Sequence, residues 1–162
     1  MDPLTADELR AAIVNGSRSQ TKAMPPPPDL AVLPWDQLDY LGWRDPRAAA
    51  RGYLVAPHDH GTVGLLLRAP TTRGRRRGSA MCSLCRSLRT ASEIDLFVAP
   101  RAGTRGRSGD TVGTYICADL ACSYYVRGLR PLDLPQGERL PLERRVELLG
   151  ERLAGFVQRV IA

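Results

Sequence analysis

Apolar and polar positions alternate along much of the chain, and two periods can be read from them. At the start, Leu9, Ala12 and Ile13 share one face of a helical repeat. Thr5 followed three residues later by Glu8 has the form of a capping box, and Gly16 is placed to end the helix. The polar stretch Ser17 to Ala23 and the run Pro25-Pro26-Pro27-Pro28 predict a stiff extended connection. Residues 1–28 therefore read as an N-terminal helical arm with a Pro-rich linker, and residues 29–162 as the domain proper.

From Leu30 the composition turns toward strands. Leu38 to Trp43, Gly52 to Ala56 and Thr62 to Arg68 have strand length and β-type residues, and are expected to pair in one small antiparallel sheet. Trp35, Trp43 and Tyr53 are its large apolar groups and are assigned to the core. The Gly/Arg-rich stretch Thr71 to Ser79 reads as a loop, because it has no apolar area to bury. Further on, Ile94 to Ala99 and Thr111 to Cys117 predict a β-hairpin whose long tip is a second Gly/Arg loop, Arg101 to Asp110.

Asp119 is placed as an N-cap for a short helix, Leu120 to Arg127, which Gly128 would end. After a Pro-broken linker, Leu142, Val146, Leu149, Leu153, Phe156, Val157 and Val160 recur at helical spacing. They predict an amphipathic C-terminal helix with Pro141 at its first turn and its apolar stripe packed on the sheet. The pattern defines an α+β fold, a small antiparallel sheet with flanking helices.

At 162 residues the chain has room for one domain and a short appendage. No stretch approaches the roughly 20 apolar residues that cross a bilayer, and the acidic opening Met1 to Glu8 lacks the basic flank of a secretory signal. A cytoplasmic location is expected. In reducing surroundings, four cysteines in two close pairs point to metal before disulfides.

Charge changes the picture by its placement. Ten arginines against Glu93 and Asp95 lie between Arg68 and Arg107, a local balance of +8 within a total of +6, so the remainder stands at −2. Genome composition accounts for 22 arginines beside the single Lys22, but not for their clustering. The cluster predicts an electropositive face built on Arg73, Arg75, Arg76, Arg77, Arg101, Arg105 and Arg107, suited to a polyanion or an acidic protein surface.

The chemistry lies in the cysteines. Cys82-x-x-Cys85 has the spacing of a zinc knuckle. Cys117 and Cys122 fall at the end of a strand and in the first turn of a helix, where the helix dipole favours a thiolate. A redox Cys-x-x-Cys would cap a helix in a βαβ unit, and here the first pair follows a loop, with a second pair left over. One knuckle, a hairpin, then a helix carrying the second pair is the order of a treble clef. The 31 residues between the pairs and the four inside the second suit it better than a zinc ribbon. Four thiolates close the coordination shell, leaving no position for water or substrate, so the metal is expected to be structural and the chain not an enzyme. His58 and His60, on either side of Asp59 in a turn, read as solvated.

Met81-Cys82-x-x-Cys85, the hairpin Gly103-x-x-Gly106-Arg107-x-Gly109-Asp110-Thr111-Val112-Gly113, and Tyr115-Ile116-Cys117-Ala118-Asp119-Leu120-x-Cys122-Ser123 carry a family resemblance. Over roughly Leu30 to Arg130 the chain resembles the FBP-type treble-clef zinc fingers, the C-terminal domain of the FusB-like proteins that bind elongation factor G. The resemblance implies one zinc ion on Cys82, Cys85, Cys117 and Cys122. It also implies binding of elongation factor G and its release from stalled ribosomes, as in fusidic acid resistance. The resistance proteins carry a helical bundle ahead of the zinc domain, where this chain has about 28 residues. A general RNA- or DNA-binding finger, using arginine with Tyr115, Tyr124 and Tyr125, is the alternative expectation.

Overall fold

A computed structural model describes residues 1–59, 61–69 and 77–162 of the chain. Among these residues, five strands form one antiparallel sheet in the order β1-β2-β3-β6-β7, and β4 pairs with β5 in a separate two-stranded ribbon. The large sheet comprises β1 (Leu41–Asp45), β2 (Ala48–His58), β3 (Gly61–Arg68), β6 (Ile94–Pro100) and β7 (Thr111–Cys117), each at or within a few residues of its predicted place. The ribbon, β4 (Ser79–Met81) with β5 (Leu88–Thr90), brackets the first cysteine pair and was not foreseen. Three-residue strands are too short to show a period.

Both faces of the sheet are covered. On one face Leu54, Leu65, Leu67, Phe97 and Ile116 meet Leu149, Leu153, Phe156, Val157 and Val160 of the C-terminal helix α5 (Leu142–Ile161). This is the intramolecular packing that the apolar stripe predicts, although Leu142 stays exposed and Pro141 stands at the N-cap. On the other face Trp43, Tyr53, Val55 and Leu66 meet Leu9 and Met24 from the N-terminal residues.

The N-terminal segment is ordered by its own capping. Thr5 and Glu8 close the predicted box on α1 (Ala6–Ala12). Ser17 and Gln20 form a second box on α2 (Arg18–Lys22), where the sequence suggested only a polar connection. Asn15 then enters the sheet edgewise. Its amide donates to the carbonyls of Leu66 (3.0 Å) and Pro100 (2.9 Å) and accepts from the Leu66 N–H (2.7 Å). It thus bonds both β3 and β6 at a level where those strands, paired at Arg68 and Val98, have stopped pairing. Trp43 Nε1 donates to the Pro25 carbonyl (3.1 Å), so the proline run is anchored as well.

Candidate metal centre

The site is assembled from two turns that close on each other. In the first, Cys82 N–H donates to the Ser87 carbonyl (3.1 Å) and Arg86 N–H to the Cys82 carbonyl (3.1 Å). Arg86 takes the left-handed conformation, φ +60°. In the second, Cys117 ends β7, Leu120 N–H donates to the Cys117 carbonyl (2.8 Å), and Leu120 sits at φ +61°. Left-handed backbone is uncommon for residues with a side chain, and both instances here lie within the cysteine turns that aim the sulfurs. Ser83 N–H donates to the Tyr115 carbonyl (2.8 Å), fastening the knuckle to β7.

The second pair departs from expectation in its detail. Helix α4 spans Cys122–Val126 with Ala121 at the N-cap, so Asp119 does not cap it. The Asp119 carboxylate instead accepts from Ala121 N–H (3.1 Å) and from the Tyr125 hydroxyl (2.7 Å), bracing the turn from both sides. Gly128 ends the helix as predicted: at φ +71° it donates to the Tyr125 carbonyl, while Leu129 reaches the Tyr124 carbonyl, the paired bonds of a Schellman motif. Ser123, expected to serve only the helix, is a clamp between elements. Its hydroxyl accepts from the N–H groups of Asp39 and Tyr40 and donates to the Tyr40 carbonyl (2.9 Å), holding the approach to β1 against α4.

The four cysteines are buried, and their sulfurs all lie within 4.8 Å of one another. Cys82 and Cys122 sulfurs are 3.6 Å apart, Cys85 and Cys117 sulfurs 3.7 Å. A disulfide needs about 2.05 Å. A tetrahedron of thiolates at about 2.3 Å from zinc has edges of roughly 3.8 Å, so this donor set fits one such ion. The protons tell the same story. Burial, with the neighbouring sulfurs, pushes the Cys122 thiol well above its ordinary value, while hydrogen bonds from Cys117, Cys122 and Cys82 hold Cys85 low. Four sulfurs this close cannot all ionise unless a cation shares them.

Arg89 supplies positive charge behind the sulfurs. It is buried, 3.9 Å from the Cys117 sulfur and 4.2 Å over the Tyr125 ring, and it pairs with Asp133 and with Glu93 (3.5 Å). Burial by itself would lower its affinity for a proton, and the contacts with Tyr125 and Asp133 outweigh that. It therefore offsets part of the −2 charge of a zinc tetrathiolate. The sequence shows Arg89 as one more member of the basic cluster, and nothing local marks it as buried.

The other arginines fare differently from one another. Arg73, Arg75 and Arg76, like His60, lie outside the described residues. Arg77 is exposed next to Gly78, whose carbonyl accepts from Ala91 N–H just ahead of β6. Arg101, Arg105 and Arg107 follow the last residue of β6, so a strand's length, about 20 Å, separates them from Arg77. The tip they occupy is no open loop: Gly103–Arg107 forms the helical turn α3, and Asp110 gathers Arg101 (3.1 Å) and Arg105 (2.9 Å). Arg101 and Arg105 also donate to the carbonyls of Arg159 and Ala162, at the C-terminal end of α5, where cations complement the helix dipole. Arg107 bonds Thr104 and is exposed. His58 is half-buried, beside the cavity that Asp36, Asp39 and Arg127 also line.

A knuckle, a hairpin and a helix meeting at four buried thiols define a protein of the treble-clef zinc-finger class. The chain belongs to the FBP C-terminal treble-clef zinc-finger family, which it matches over residues 8–160, well beyond the span its sequence motifs suggested. Its ion is accordingly zinc. It is similar in fold to the solved structure of the fusidic acid resistance protein FusC, with a TM-score of 0.61 and 15% identical residues, over 99% of this chain and 60% of that one. This chain thus spans well under two thirds of the FusC chain. No match was found among curated proteins. Among the described residues no helix is long and apolar enough to cross a membrane.

Proposed function

We propose that the chain is a non-catalytic binding module of the translation machinery in the cytoplasm. Cys82, Cys85, Cys117 and Cys122 hold one structural zinc, and a basic surface docks on elongation factor G and/or on the ribosome, through its RNA. Membership of the FBP family over residues 8–160 is the observation that carries this reading, and the fold likeness to a fusidic acid resistance protein supports it. Closure of the metal site supports the non-catalytic part, since four buried thiolates leave the ion no place for a substrate. Residues 29–162 are proposed as the zinc-finger unit and residues 1–28 as its helical, Pro-linked extension. Arg77 and Arg107 offer exposed guanidinium groups to a partner, and Arg73, Arg75 and Arg76 are proposed to act with them. Arg101 and Arg105 contribute mainly by shaping the tip.

A general nucleic-acid finger needs aromatic faces for bases. Tyr125 is buried, Tyr124 is half-buried under Arg130 (4.4 Å), and Tyr115 alone of the three is exposed, which favours the translational reading. Co-sedimentation with ribosomes and affinity capture with purified elongation factor G, both across a salt series, test it. Capture that weakens with salt and with reversal of Arg77 and Arg107 is expected. Absence from both would remove the proposal. Cys117→Ser, read by zinc content, tests the ligand assignment and is expected to abolish stoichiometric binding.

A further inference from the structure

Beside the first cysteine pair, with Cys85 in its lining, lies a cavity of about 360 Å³. Its walls include Met81 and Leu140, which are 44% and 53% exposed despite being large and apolar. Around them stand four arginines, Arg86, Arg139, Arg145 and Arg152, with Glu138 as the acidic residue of the lining. Even with Glu138 and the −2 of a zinc tetrathiolate counted against them, the groove keeps a positive balance.

The groove is held open by bonds within the protein. Gln136 imitates a strand residue, accepting from Leu88 N–H (2.9 Å) and donating to the carbonyls of Leu88 (2.8 Å) and Leu134 (2.7 Å). This pins the wall that carries Arg139 and Leu140 to β5. Arg152 donates to the Leu84 carbonyl (3.0 Å) and Arg145 to the Val126 carbonyl (2.7 Å). The Arg145 Nε, though buried, has no hydrogen-bond partner among the described residues. Burial and the charge of Arg145 both lower the proton affinity of Arg139, a sign of how closely the cations crowd.

We propose that this groove is a docking site for an acidic protein segment that carries an apolar anchor. The anchor enters between Met81 and Leu140, and flanking carboxylates meet Arg86, Arg139 and Arg145. Two features select this occupant. The positive rim calls for negative charge, and an apolar centre inside a charged rim is the anatomy of a protein interface. A nucleic acid would find phosphate contacts here but, among the described residues of the lining, no aromatic side chain on which to stack a base. The inference rests on the reading that the chain docks on a protein, and it specifies where and by what chemistry.

Fluorescence anisotropy of the zinc-loaded full chain tests it, with a short labelled peptide of glutamate and aspartate around a central pair of leucines. Arg139→Glu is expected to weaken binding about tenfold or more through like-charge repulsion. Arg86→Glu, on the knuckle side, is expected to do the same and guards against a local effect on the linker. Arg139→Glu should retain wild-type zinc content, and Arg86→Glu, which directly follows Cys85, is compared with the wild type at equal zinc loading. Replacing the peptide leucines by serine should cost a similar factor, and oligouridylate RNA should fail to displace the peptide. The proposal is overturned if the acidic peptide does not bind, if both variants bind it as the wild type does, or if the RNA displaces it. Capture of elongation factor G unaffected by Arg139→Glu and Arg86→Glu would sink the groove and leave the translational role standing. Peptide binding in the groove without capture would do the reverse.

Discussion

Tyr125 and Arg89 share one pocket behind the cysteines, and neither role can be read from its neighbours in the chain. The Tyr125 ring lies under the Arg89 guanidinium and its hydroxyl donates to Asp119, so a single side chain joins β5, the turn between Cys117 and Cys122, and α4. Burial first, then the bond to Asp119, pushes the phenol up to about 12 from its usual value near 10. The fold therefore prefers the protonated phenol. The stability it contributes is fully present below about pH 10 and is lost as pH rises through about 12. Tyr125→Phe is expected to cost about 1 kcal/mol at neutral pH, the net worth of one hydrogen bond. It should also flatten the loss of stability between about pH 10 and 12. Urea unfolding at a series of pH values measures both. An alkaline limb identical to that of the wild type would show that another group sets it.

At the scale of elements, the zinc turn also covers the face of the border strand β1 that Gly42 and Arg44 share. Here the turn carrying Ala118 and Leu120 lies against it: Arg44 of β1 donates to the Ala118 carbonyl (2.6 Å), and a Cβ built on Gly42 would stand 2.5 Å from the Leu120 carbonyl oxygen. Gly42 is required by that approach. Gly42→Ala is expected to destabilise the protein by about 1–3 kcal/mol, as overpacking does, and to speed zinc release to a chromogenic chelator, since Leu120 sits between two of the cysteines. Unchanged release with a lowered melting temperature would uncouple β1 from the metal turn.

Most of the elements were legible because their signals are local. The β-type composition and length of β2, β3, β6 and β7, the Thr5–Glu8 box, the Gly128 stop and the stripe of α5 each depend on residues a few positions apart. The exceptions have physical causes. α3 carries two glycines in five residues, a poor helical composition, and forms because Asp110 draws Arg101 and Arg105 together across its turn. α2 is short enough that its capping residues, Ser17 and Gln20, outweigh its lack of an apolar face.

For the molecule as a whole, the ion joins two chain segments, Cys82 to Cys85 and Cys117 to Cys122, with 31 residues between them. The knuckle is fastened to β7 by Ser83, α4 to the approach of β1 by Ser123, and all four cysteines belong to the core shared with α5. Removing zinc should therefore loosen the packing of α4, α5 and the ends of β1 and β7 together. Treatment with a strong chelator is expected to lower the melting temperature sharply, since structural zinc contributes on the order of 10 kcal/mol of apparent binding energy. Adding zinc back should restore it, followed by circular dichroism. A melting curve indifferent to the chelator would contradict a structural role for the ion.

The four cysteines, their pairing in two turns and the strand-to-helix setting of Cys117 and Cys122 follow from the sequence alone. Spacing limits where a short turn can aim a sulfur, and tetrahedral thiolate chemistry leaves few other uses for four buried thiols. The fate of the charges was a matter for the tertiary structure. Arg89 is buried with Asp133, Arg101 and Arg105 are bound to Asp110 and the end of α5, and Arg139 and Arg145 meet Arg86 only because the linker folds back on β5. Whether a charged side chain faces water or a partner depends on what distant chain returns to its side. No local pattern carries that information.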